Sequence, residues 1–251
     1  MSAALAVVSV GLGVVYLALG LIILIDLKRG WPTMGFSRFG LAVVVLTVTC
    51  GPHHLEHGLH LGLAGRRPGL LELVTVVVGL PAGAVWAYLR VEAIRGGRGD
   101  RFISGTPNWM SRLTQVGVAY LATVMVVATA VAVGGGPLTP RLVPNVLLVG
   151  LYATIAIYLL RTQLANRPVL DGWSVSGLAL ALLFVTCAVM HLAWLSYALS
   201  GRYDVDGHGL IIDWLSVPAA LYFLWVVRSL YLRSLRDWNH TATGLANEAH
   251  V

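Results

Sequence analysis

Across 251 residues the chain carries 57% hydrophobic and 11% charged side chains, too little charge for a soluble domain of this size, where about 25% is usual. The mean hydropathy of +0.79 points to a multi-span membrane protein instead. A net charge of +6 would suit nucleic acid only on a soluble module with base-stacking or groove-reading elements, and none is present.

Seven apolar runs lie at about 2–26, 39–62, 69–90, 114–134, 142–163, 174–200 and 210–232. Each reaches the roughly 20 residues that a helix needs to cross a bilayer, and helices satisfy their own backbone polar groups there. The sequence therefore predicts an all-α integral membrane protein: one seven-transmembrane-helix bundle over residues 1–237, followed by a polar tail, 238–251. The first run has no Lys or Arg before its apolar core and no clear small-x-small cleavage site, so it reads as a span rather than a signal peptide.

Basic residues set the expected orientation. With the N-terminus outside, 13 of the 17 basic residues fall in cytoplasmic segments, leaving Arg66, Arg67, Arg141 and Arg202 outside. The positive-inside rule then places the C-terminus in the cytoplasm. The surroundings are a plasma membrane, and a chain with a single lysine and abundant Ala, Val, Gly and Leu suggests a GC-rich bacterial genome.

Span 1 is apolar with Gly11, Gly13 and Gly20, which lack the strand-turn-helix context of a dinucleotide fingerprint and suit close helix packing. Span 2 holds the segment that organises the chain, Cys50-Gly51-Pro52-His53-His54-Leu55-Glu56-His57-Gly58-Leu59-His60. Proline removes a backbone donor, so a bend or reset of the helix is expected just before the first histidine. Beyond it, His53, His57 and His60 share one helical stripe, with His54 and Glu56 beside it.

Glu72 opens span 3, and Gly79 with Gly83 forms a small-xxx-small pair suited to a close neighbour. The connection from Arg90 to Arg112 carries Arg98-Gly99-Asp100, read as a chance occurrence in a Gly/Arg-rich turn. Trp109 and Met110 suit the membrane surface. Spans 4 and 5 offer few polar side chains; Tyr152 reads as an interhelical hydrogen-bond partner and Asn145 as an outer-side contributor.

Span 6 carries Thr186-Cys187-Ala188-Val189-Met190-His191, and an outer turn then brings His208 before Asp213 at the start of span 7. Counting about 1.5 Å per residue puts the histidines of spans 2 and 6 in the outer leaflet. His53, His54, Glu56, His57, His60, Glu72, His191, His208 and Asp213 thus share one depth range although four spans and a loop supply them. His240 and His250 read as solvated tail residues. Cys50 and Cys187 read as free thiols, or as a disulfide if spans 2 and 6 touch at that level.

Ionisable groups within a membrane mark function, and imidazole with carboxylate suits a divalent ion, zinc or iron ahead of copper. The expected ligands are His53, His57, His60, His191 and Asp213, with His54 and His208 as further candidates. Glu56, Glu72 and Asp213 are the expected catalytic or orienting carboxylates. The reading is a metal-dependent hydrolase or oxidase acting on a lipid or lipophilic substrate from the extracytoplasmic side. Its alternatives are a haem b held by histidines of spans 2 and 6, and a metal-ion or proton transport or sensing site.

A retinal protein is excluded, because the Schiff base needs a lysine in the last span and Lys28 is the only lysine. Seven-span ceramidase and progestin-receptor-like hydrolases pair Ser-xxx-His with a late His-xxx-His. Here Thr49-xxx-His53 is an approximate counterpart and span 7 has no such pair. The oligomeric state has no sequence signal.

Overall fold

The computed structural model describes residues 2–64, 69–104, 108–134, 139, 142–200 and 210–248. Seven helices account for nearly all of them: α1 (Ser2–Met34), α2 (Arg38–Ala64), α3 (Leu70–Ile94), α4 (Asn108–Gly134), α5 (Val143–Leu170), α6 (Val175–Leu199) and α7 (Leu210–Glu248). All seven are long and apolar enough to cross a membrane. Large apolar side chains cover the outside, such as Val7, Leu63, Val126, Val133 and Ile211, each at least two-thirds exposed, while His54, His57, Glu72, His191 and Asp213 are buried inside. That inversion is what a helical bundle in lipid requires, since the outer face meets a solvent as apolar as Leu.

α6 is the central helix, with 72% of its apolar window buried, and α4 the most peripheral at 22%. α2 packs on α1 and α7, whereas α6 packs on α3 and α5. Glycine sets the closest approaches. A Cβ on Gly58 would come within 2.8 Å of Ala6 O and 2.9 Å of Val10 N, so the backbones of α1 and α2 nearly touch there. The expected pairing of Gly79 with Gly83 is likewise a packing device, facing Thr186 and Leu183 of α6 and Leu12 and Val15 of α1.

Several helices run past the apolar limits read from sequence. α1 continues through Lys28 and Arg29 to Met34, and α7 continues to Glu248 through most of the segment expected to be a polar tail. α2 is not interrupted at Pro52, which lies inside an unbroken helix. Neighbouring side chains and helices re-satisfy the freed carbonyl of such a proline in membrane helices.

At the α3–α4 end, two three-residue strands escape sequence reading. β1 (Phe102–Ser104) pairs antiparallel with β2 (Gly172–Ser174), which leads directly into α6. Asp100 lies beside this pair and has a structural role, in place of the chance occurrence expected from sequence. Its Oδ1 accepts the Ser176 backbone N–H at 2.9 Å, and its Oδ2 accepts the Ser174 hydroxyl at 2.6 Å. A carboxylate from one connection thereby caps the N-terminus of the central helix.

Candidate functional site

The polar centre lies at the opposite, α2–α3 end of the bundle. Topology explains the convergence: α2 ends there, α3, α5 and α7 begin there, and the last two turns of α6 pass through it. His53 to His60 of α2, Glu72 in the first turn of α3, Asn145 of α5, His191 of α6 and Asp213 in the first turn of α7 therefore reach the same level.

Two networks form there. In the first, Asn145 bridges α5 to α6 and α7: its Nδ2 donates to Asp213 Oδ2 at 3.1 Å, and its Oδ1 accepts from His191 Nδ1 at 2.7 Å. An amide oxygen only accepts, so Nδ1 of His191 carries the proton and a neutral ring keeps its lone pair on Nε2. The other oxygen of Asp213 lies 3.1 Å from His53 Nδ1. The two form a buried ion-pair contact between α2 and α7, and neither atom has another hydrogen-bond partner among the described residues.

In the second network, His57 Nε2 donates to Glu72 Oε1, and Trp194 Nε1 donates to the same oxygen at 3.4 Å. Trp194 joins the two networks through packing. Its ring centroid lies 4.2 Å from that of His53, and 5.0 Å from those of His57 and His191. An indole at this position both donates to a buried carboxylate and covers three imidazoles with apolar surface.

The structure thus brings together His53, His191 and Asp213, as the depth argument expected, but pairs His57 with Glu72 separately. The inward direction on α2 also lies further round than the stripe through His53, His57 and His60. At about 100° per residue, His54 and His57 straddle that direction and are 5% and 3% exposed, while His60 is half-buried. His54 stacks on Tyr16 at 5.5 Å, and its Nδ1 is buried without a hydrogen-bond partner. Glu56 is half-buried on the same helix. His208 and His250 lie outside the described residues, and the described part of His240 is its place in the helical extension of α7.

The lower half of the site holds the two cysteines that the sequence places within the membrane as free thiols, or as a disulfide if spans 2 and 6 touch. A cavity of about 10 Å³, room for roughly one water, is lined by His53, His54 and His191 above and by Cys50, Cys187 and Tyr152 below. The Tyr152 hydroxyl contacts Cys50 Sγ at 3.3 Å, and the Tyr16 hydroxyl contacts Cys187 Sγ at 3.2 Å. Both cysteines are free. Cys50 precedes His53 and His54 by three and four residues, and Cys187 precedes His191 by four, so each thiol sits one turn below an imidazole.

The donor chemistry can be compared with the groups expected to bind. His53 Nδ1 and Asp213 Oδ1 face each other at a spacing close to that of two ligands on one ion, given metal–ligand bonds of about 2.0–2.2 Å. Among the described residues, no three His, Cys, Asp or Glu side chains already converge as a metal-binding group; His53 and Asp213 supply two donor atoms, and the His191 ring lies beside His53 with centroids 5.6 Å apart. A haem between α2 and α6 does not fit this packing. Trp194 fills the space beside both rings, and the adjoining cavity takes about one water rather than a macrocycle.

No known protein family, no curated protein and no solved structure matches this chain. What can be said of it rests on its own residues: a seven-helix bundle with the composition of a membrane protein, built around a buried histidine, carboxylate and thiol centre.

Proposed function

We propose that this chain is a multi-pass protein of a bacterial plasma membrane whose His53–Asp213–His191 centre holds a divalent metal ion near the extracytoplasmic face and works on a lipid or lipophilic substrate. The observation carrying this reading is the buried pairing of His53 Nδ1 with Asp213 Oδ1 at 3.1 Å, each atom having only the other as its partner among the described residues. An imidazole nitrogen and a carboxylate oxygen held this close inside the bundle are donor types that a divalent zinc or iron ion takes. The orientation rests on the distribution of basic residues.

In this reading His53 and Asp213 are ligands, and His191 supplies the third donor through Nε2. Asn145 holds the His191 ring and the second oxygen of Asp213 in place, the outer-sphere role that fixes tautomer and direction. Glu72 orients His57, Trp194 excludes water from the rings, and Glu56, half-buried on α2, takes the role of general base. A divalent ion here would act as a Lewis acid and lower the pKa of a bound water, which suits hydrolysis. Below the centre the core turns to Leu, Val and Phe, so a site closed on that side suits an enzyme better than a conduit.

Metal analysis with an absorption spectrum of detergent-purified protein tests the reading. One transition-metal equivalent per chain, lost in Asp213→Ala and in His53→Ala, supports it. Metal-free protein that stays folded and takes up neither zinc nor iron removes it. The chain of contacts His53–Asp213–Asn145–His191 favours a second reading, a metal-free proton relay or sensor, which the latter outcome would leave standing.

A further inference from the structure

A second hollow lies below the polar cavity, inside the bundle. α1, α2, α7, α5, α6 and α3 close a ring, each packing on the next and α3 returning to α1. Five of these helices line the hollow, with Tyr16 of α1, Leu46 of α2, Trp86 of α3, Leu183 of α6 and Phe223 of α7 each at most 8% exposed. Cys50 and Cys187 stand between the two spaces and border both.

What this hollow can hold follows from the polar atoms in its wall, each of which is already engaged. The Thr47 hydroxyl donates to Val43 O of its own helix at 2.9 Å, and Trp86 Nε1 donates to the Ser176 hydroxyl at 3.0 Å. The Tyr16 hydroxyl pairs with Cys187 Sγ, and Cys50 Sγ pairs with the Tyr152 hydroxyl. A buried water makes about three hydrogen bonds to groups that otherwise lack a partner. This wall offers no such side chain, so water gains nothing by entering. The upper cavity is the opposite case, because three imidazoles line it.

Size narrows the occupant further. The hollow measures about 20 Å³, against the roughly 10–15 Å³ that a single water needs on the same measure. It takes a molecule slightly longer than water and excludes an acyl chain. Dry apolar cavities bind small apolar molecules such as xenon, and apolar solutes concentrate in the hydrocarbon that surrounds the bundle. We propose that this hollow is a binding site for a nonpolar diatomic gas drawn from the bilayer, dioxygen being the reactive member of that class. The assignment rests on lining and volume alone and stands apart from any metal in the centre above.

Methyl relaxation in the reduced full chain, isotope-labelled at its leucine methyls and held in nanodiscs under dioxygen or under nitrogen at equal pressure, tests the site. Dioxygen is paramagnetic and speeds the relaxation of methyls that it touches. Leu19, Leu46 and Leu183 should gain more than Leu5 and Leu148, which are also buried but lie outside the hollow. Lipid-facing Leu63 reports the dioxygen dissolved in the bilayer. Leu46→Phe, which fills the hollow, should abolish the excess at Leu19 and Leu183 and leave Leu63 unchanged. Wild-type protein in which Leu19, Leu46 and Leu183 gain no more than Leu5 and Leu148 would overturn the proposal, whether or not the variant folds. Cross-relaxation between water and the same three methyls would also overturn it, since that marks a wet cavity. The full excess is expected in metal-free protein and in Asp213→Ala, so failure of the metal reading leaves this site standing.

Discussion

Replacing Asn145 by leucine probes the polar centre most selectively, because the bridging amide touches both a histidine and a carboxylate. Asn145 is 7% exposed, donates to Asp213 Oδ2 at 3.1 Å and accepts from His191 Nδ1 at 2.7 Å. Asn145→Leu strands both partners, and each buried unsatisfied group costs about 1–3 kcal/mol, which gives about 2–6 kcal/mol for two. Polar contacts between membrane helices average only about 0.6 kcal/mol, because the unfolded chain in the membrane also finds partners, so two such bonds set a lower bound near 1 kcal/mol. We expect a loss of about 2–3 kcal/mol, a shift of about 30- to 150-fold in the unfolding equilibrium. Unfolding by SDS in mixed micelles, followed by tryptophan fluorescence, measures it. Leu147→Ala, on the exposed side of the same helix, is the control and should stay within about 0.5 kcal/mol. Asn145→Leu as stable as that control would refute the network.

Glu72→Ala leaves His57 and Trp194 without their shared acceptor, so a loss of about 3–5 kcal/mol is expected; Glu72→Gln keeps an acceptor oxygen and should lose less than half of that in the same unfolding assay. Gly58→Ala drives a methyl into the α1 backbone and should cost about 1–3 kcal/mol. Gly150→Ala meets nothing within 4 Å and should be neutral or gain up to about 1 kcal/mol from helix propensity; thermal melts in one detergent decide both. Asp100→Ala removes the cap on α6, worth about 0.5–2 kcal/mol, and should speed hydrogen exchange at the Ser176 amide while leaving exchange around His191 unchanged.

The bundle was legible because lipid imposes a simple rule: every crossing segment must be apolar for about 20 residues, and all seven such segments are helices. Helix ends were less legible. α1 carries Lys28 and Arg29 within its helix, since long basic side chains can reach the interface while the backbone stays helical. The meeting of His53, His191 and Asp213 followed from depth alone, but rotation about the α2 axis did not, which is why His54 turned out more buried than His60. Cys50 and Cys187 were legible as free thiols, but their place on one cavity wall with Tyr152 was not, because a thiol in an apolar run resembles any small core residue. The β1–β2 pair joins connections about 70 residues apart through three-residue strands, too short to show an alternating pattern.

The central claim, that the histidine–carboxylate end of the bundle is a metal centre, is tested most directly by X-ray absorption on wild-type protein loaded with a single equivalent of zinc. The account predicts a nitrogen and oxygen shell at about 2.0–2.2 Å with imidazole scattering, diminished in His53→Ala and in His191→Ala. A spectrum of hydrated zinc, or a shell unchanged by both substitutions, would contradict it.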